Sequence, residues 1–214
     1  MLDEMIKELA ESYELKQVDN KDYEHFKVSG MNFEVKAYDA QFLGRVSTME
    51  AKMPLGLMKM KTLIINPFEL DAPLFSFDLI EVPGKINVIL EQYDTLVASK
   101  RKEDAFLQIA KKYAGLQDRE SKPNWYDDLR YASCIGKKVS KKEKDQTDAL
   151  IREYFEAYLD VCRDAHVCER DEKKAKADVY RDGLLEHGGP ATDAFLKSWG
   201  KEKCEQFFKE VLFG

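Results

Sequence analysis

No stretch of the 214-residue sequence comes near the roughly 18 consecutive apolar residues that a helix needs to cross a bilayer. No membrane partner is expected on that ground. The opening Met-Leu-Asp-Glu-Met-Ile-Lys-Glu-Leu lacks the basic-then-apolar order of a signal peptide and reads as the start of an acidic amphipathic helix, so a cytoplasmic protein is expected. Cysteine is sparse. The four thiols, Cys134, Cys162, Cys168 and Cys204, fit a reduced compartment better than a disulfide framework. Cys162 and Cys168 flank His166, but no second ligand pair with zinc spacing follows, so no metal is expected. An excess of cations is missing as well: 34 Lys and Arg against 40 Asp and Glu leave a net charge of -6. A general nucleic-acid binder, which must neutralise phosphates with a cationic face, is thereby disfavoured. Repeats, low-complexity tracts and long linkers are also absent, and residues 1–214 read as one domain.

What is present is ordinary globular material, 44% hydrophobic and 35% charged, enough for a substantial core. Residues 2–16 carry Leu2, Met5, Ile6, Leu9 and Tyr13 on one helical stripe. From Tyr23 the period falls to two. Phe26 and Val28, then Phe33, Val35 and Ala37, alternate with charged residues across Ser29-Gly30. Residues 42–51 and 57–65 supply two more strands around Pro54 and Gly56, and two arms meet at Pro83-Gly84, for about six strands in an antiparallel meander. Helical spacing returns at 103–113, 145–170, 169–185, 191–198 and 202–212, with 122–136 left as an aromatic-bearing loop. Strands first and helices mostly after is the order of an α+β protein.

The stretch 71–94 holds the residue best prepared for chemistry. In its first arm Leu74, Ser76, Asp78 and Ile80 share one face, because strand side chains alternate. Asp78 therefore sits among apolar neighbours, where lost hydration raises a carboxyl pKa and makes its acid form accessible near neutral pH.

Asp-Ala-Pro-Leu-Phe-Ser-Phe-Asp-Leu-Ile at 71–80, Pro123-Asn-Trp125 with the run ending at Cys134, and Phe-Phe-Lys-Glu-Val-Leu-Phe-Gly at 207–214 together resemble the ferredoxin-dependent bilin reductases, in order and spacing. The resemblance runs from Arg45 onward. It implies a three-layer α/β/α sandwich with a central antiparallel β-sheet flanked by helices and an open-chain tetrapyrrole held between sheet and C-terminal helices. It also implies reduction of a biliverdin-like bilin by single electrons from ferredoxin, with no permanently bound cofactor.

Asp78 falls on the family's catalytic aspartate, and Glu50 matches a glutamate of the phycocyanobilin-forming branch. Thr62 stands where members carry His or Asn, and it cannot titrate near neutral pH. A further carboxylate of some members falls on Gly189. Arg45 aligns with a family arginine, Lys138 takes the place of the propionate-binding arginine, and the equivalent of Trp125 lies near the ligand. Lys137, Lys141 and Lys142 belong to a basic run suited to steering an acidic ferredoxin. Because two proton donors are replaced, a bilin-binding protein without turnover is the competing expectation, and a relative acting on another tetrapyrrole is a third.

Overall fold

Period-two alternation carries the chain through most of its sheet. The structure, a computed structural model, describes the backbone of residues 1–214 and every side chain except that of Pro190. The strands are β1 (Leu15–Gln17), β2 (His25–Val28), β3 (Met31–Ala40), β4 (Gly44–Lys52), β5 (Lys59–Pro67), β6 (Leu74–Val82), β7 (Lys85–Tyr93) and β8 (Ile135–Val139). All pair antiparallel in the order β1-β3-β4-β5-β6-β7-β8, and β2 also pairs with β3. The helices are α1 (Leu2–Ser12), α2 (Lys21–Glu24), α3 (Asp104–Lys112), α4 (Lys144–Arg163), α5 (Arg170–His187), α6 (Pro190–Trp199) and α7 (Lys201–Gln206), which continues as a π-helical turn over Phe207–Leu212.

Eight strands replace the six expected. β1 overlaps the end of the span expected as the first helix, a helix that stops at Ser12. β8 was hidden because its alternation, Ile135-Gly-Lys137-Lys-Val139, places a lysine at a buried position. The helix expected to reach residue 170 stops at Arg163, since 164–168 turns to pair with 69–71: Asp71 N–H donates to the His166 carbonyl at 2.8 Å and Cys168 N–H to Glu69 at 2.9 Å.

Alternate side chains build two cores. On one face Val46, Leu63, Phe75, Phe77, Val88 and Leu90 pack beneath α1, α3 and α4. On the other, Val35, Met49, Ala51, Ile64, Leu74 and Tyr93 meet α2, α5, α6, α7 and the C-terminal turn. This is the α/β/α layering that the resemblance implied.

The second face is covered unevenly. Its β2–β4 side lies under an aromatic cluster of Tyr23, Phe26, Phe33, Phe195, Trp199 and Phe207. Toward β6–β8, Ser76, Asp78, Ile80, Asn87, Ile89, Gly136 and Lys138 are only half-buried, whereas Phe77, Val88 and Leu90 on the opposite face are 0% exposed. A partly open trough therefore runs along the sheet at that end.

Candidate active site

Asp78 stands in the middle of this trough. Thr62 of β5 and Ile89 of β7 are its cross-strand partners, with Met49 and Gly136 completing the row. The Thr62 hydroxyl donates to an Asp78 carboxylate oxygen at 2.5 Å. Desolvation by the surrounding protein pushes the Asp78 carboxyl up to about 6, against the Thr62 hydrogen bond, with the Glu91 charge adding to the rise and Arg119 opposing it. Such a group can hold a proton near neutral pH and give it to a ligand lying on the sheet.

Glu91 lies on the same face, opposite Ser76. It accepts hydrogen bonds from the Tyr93 hydroxyl at 2.6 Å and from Arg130 at 3.2 Å. Arg130 also pairs with Asp127 at 3.2 Å. Arg119 reaches this face by edge pairing with β8. Asp118 lies opposite Lys137 and shares its side, which turns Arg119 toward the side of Gly136 and Asp78.

An aromatic wall borders the trough. Tyr93 stacks on Tyr180 of α5 with ring centroids 3.9 Å apart, and Trp125 lies 5.8 Å from Tyr180, 5.3 Å from Tyr126 and 5.2 Å from His187. Trp125 reaches its place because residue 183 is glycine: a Cβ there would stand 2.2 Å from the indole. The Trp125 indole nitrogen is buried without a hydrogen-bond partner among the described residues.

No protein-family model matches the chain, and no curated protein does. Among solved structures 33 chains match. One is phytochromobilin synthase from tomato in complex with biliverdin, with a TM-score of 0.78, 11% sequence identity, and coverage of 99% of this chain and 81% of that one. The chain has the bilin reductase fold. At 11% identity the likeness is one of fold.

Of the residues that the bilin reductase resemblance singled out, the structure brings Asp78, Thr62 and Lys138 onto one face. Lys138 lies one row further along, beyond Ile80 and Asn87. Trp125 is on this side too, in the aromatic wall.

Glu50 is not. Met49 pairs with Thr62 and Glu50 with Lys61, so the Glu50 side chain projects from the opposite face. There it lines a small pocket with Leu2, Asp3 and Ile6 of α1 and pairs with Lys52 at 3.2 Å and Lys61 at 3.8 Å.

Arg45 shares the face of Asp78, but its guanidinium is engaged. It donates to the carbonyls of Glu210 at 2.5 Å and Val211 at 3.1 Å and to the Asp39 carboxylate at 3.1 Å, clamping the C-terminal turn. Ser47 and Asn66 continue that seam through the Leu212 and Phe213 carbonyls. Lys137 is withdrawn from any docking surface: it is 4% exposed and donates to the Leu116 carbonyl and the Asp118 carboxylate. Lys141 and Lys142 are exposed, in a short turn after β8. Gly189 precedes α6 and donates its N–H to Asp193 at 3.3 Å.

Glu91, Tyr93, Arg119, Arg130 and Tyr180 were missed as site residues. Alternation along β7 carried a signal for Glu91 and Tyr93. Arg119 and Arg130 stand in irregular segments, where no periodicity assigns a side. Among the described residues, no group of three or more His, Cys, Asp or Glu could hold a metal ion, and no helix is long and apolar enough to cross a membrane.

Proposed function

We propose that the trough binds a linear tetrapyrrole of the biliverdin type and that the protein reduces it with single electrons from a ferredoxin, Asp78 supplying a proton. The observation that carries this reading is Asp78 itself: an acid pushed up to about 6, half-buried on a sheet face that the helices leave partly open. The fold shared with a protein bound to biliverdin supports it. Reduction of one double bond consumes two electrons and two protons, so each electron delivered creates a demand that a protonated carboxyl beside the pigment meets. Arg130 is already paired with Glu91 and Asp127, which leaves Lys138 and Arg119 as cations for the pigment's carboxylates. Exposed Lys141 and Lys142 remain for docking the electron donor.

Anaerobic incubation with biliverdin and reduced ferredoxin, followed by absorbance and chromatography, tests the proposal. Loss of the biliverdin band with a new reduced pigment is expected. Asp78→Asn should slow the reaction by roughly 10²–10⁴-fold, the usual weight of a general acid. An unchanged pigment spectrum with the wild-type protein would sink it.

One observation favours a second reading. The hydrogen-bond partner of Asp78 is a threonine, which cannot titrate near neutral pH, so no second acid is bonded to it. A protein that only holds the pigment would shift its spectrum on mixing and yield no product when electrons are supplied.

A further inference from the structure

We propose that the hairpin tip between β4 and β5 seats the protein reversibly on an anionic lipid surface. Lys52-Met-Pro-Leu-Gly-Leu-Met-Lys59 places six uncharged residues between two lysines. Leu55 is 97% exposed and Leu57 52% exposed. The tip is a built turn: Met53 N–H donates to the Met58 carbonyl at 2.8 Å, and Gly56 N–H to Met53 at 3.3 Å. Leu55 holds a left-handed φ of 59° and Gly56 one of 68°. Two unfavourable features, a left-handed leucine and its whole side chain in water, thus meet at one residue.

Cations stand behind the tip. Lys27, Asn32, Lys52 and Lys59 form one cross-strand row over β2–β5, and all four are exposed. Exposed Lys85 begins β7 at the same end of the sheet, and Lys141 and Lys142 follow β8, whose Val139 pairs with Ile86. The acids at this end include Glu34, paired with Lys36, Glu50, paired with Lys52 and Lys61, Glu81, opposite Lys59, Glu143, bonded to Ser140, and Asp148, paired with Lys144, with Glu4 and Glu8 of α1 lining the pocket that Lys61 and Glu81 share. At the outermost positions Lys27, Lys52, Lys59 and Lys85 stand against Glu81, a local excess of positive charge in a chain of net charge -6.

The occupant follows from shape and charge. A convex tip of six residues cannot offer the roughly 800 Å² per partner of a stable protein interface. A bilayer accepts a single protruding apolar loop, with the lysines behind it at the depth of anionic headgroups. The inference does not rest on the bilin reading.

Co-sedimentation of the full chain with phosphatidylserine–phosphatidylcholine vesicles, and with phosphatidylcholine vesicles alone, tests it. Binding to the anionic vesicles that weakens with salt is expected. Leu55→Ser with Leu57→Ser should lower the partition coefficient about tenfold or more. Lys52→Ser with Lys59→Ser should weaken binding to the anionic vesicles only. Both double variants should keep the wild-type circular dichroism, because they alter exposed side chains. The proposal is overturned if the wild type stays in the supernatant, or if the leucine variant binds as tightly. A wild-type dimer that the leucine variant dissolves, with no vesicle binding, would assign the tip to a second copy of the chain instead.

Discussion

At neutral pH the Asp78 carboxyl faces opposing demands: its surroundings disfavour charge, and Thr62 stabilises it. Its folded pKa of about 6 lies above the ordinary 3.8. Below 3.8 both folded and unfolded chains hold the proton and the group is neutral in the balance. As pH rises from there to about 6 the unfolded chain ionises more readily, and stability is lost; above 6 the loss is complete and constant. Asp78→Asn, whose amide oxygen can still accept from Thr62, should therefore raise unfolding stability by about 2–3 kcal/mol at pH 8. It should change stability little at pH 3.5, as urea titrations at the two values would read. Equal gains at both would mean that the carboxyl is not desolvated. This residue was legible in the sequence because strand alternation alone sets it among apolar neighbours. Glu50 was not, because counting along one chain ignores the register of a hairpin. The β4–β5 tip pairs Met49 with Thr62, which sends Glu50 to the other side of the sheet.

The helix above the trough is held by a contact that its composition conceals. α5 reads as a charged surface helix, yet its Lys173 is 0% exposed and donates to the Ala72 carbonyl at 2.5 Å and the Thr95 carbonyl at 2.7 Å, with Asp71 at 3.8 Å. Burial pushes the Lys173 ammonium down to about 8, with Asp71 opposing. Asp71 is buried as well, but the N–H groups of Val97, Ala98 and Ser99 outweigh that cost and hold its carboxyl at about 2. The aspartate that opens the family-like stretch thus serves as an anchor for α5 and the 97–99 loop. Lys173→Met should cost about 3–5 kcal/mol in urea unfolding, because it leaves the buried Ala72 and Thr95 carbonyls without their donor and removes the cation beside the Asp71 carboxylate. A change below 1 kcal/mol, on the order of an exposed ion pair, would refute the anchoring role. Nearly three turns further along α5, Gly183 lets Trp125 lie against the helix. Gly183→Ala must displace the indole, at about 1–3 kcal/mol, and should shift the emission of one of only two tryptophans. An unaltered spectrum would place Trp125 elsewhere.

Across the whole molecule the layers divide the work, and the division was only partly legible. Alternating strands followed by amphipathic helices sufficed for an α+β protein, whereas the sheet between two helical layers was implied by the family resemblance. How far each layer reaches over the sheet depends on long-range contacts that no local pattern encodes. The α1, α3 and α4 layer buries Phe77, Val88 and Leu90 completely, whereas the layer holding α5 to α7 concentrates its aromatics over β2–β4 and leaves Asp78, Ile89 and Lys138 half-buried. A ligand in that gap would touch the sheet, α5 and the 119–130 segment at once, so its binding energy would add to the Tyr93–Tyr180, Trp125–Gly183 and Arg130–Glu91 contacts that already join them. Binding to the folded state alone stabilises it by about 2.7 kcal/mol at a hundredfold excess over Kd. For a chain of 214 residues that corresponds to a rise in Tm of roughly 5–10 °C. Biliverdin should produce this shift with the wild type and equally with Asp78→Asn, since the proposed role of that residue is to supply a proton and not to seat the pigment. No shift in either protein would mean that the trough holds no tetrapyrrole, whatever the fold it shares. A shift in the wild type alone would make Asp78 a binding residue and remove the ground for assigning it the proton.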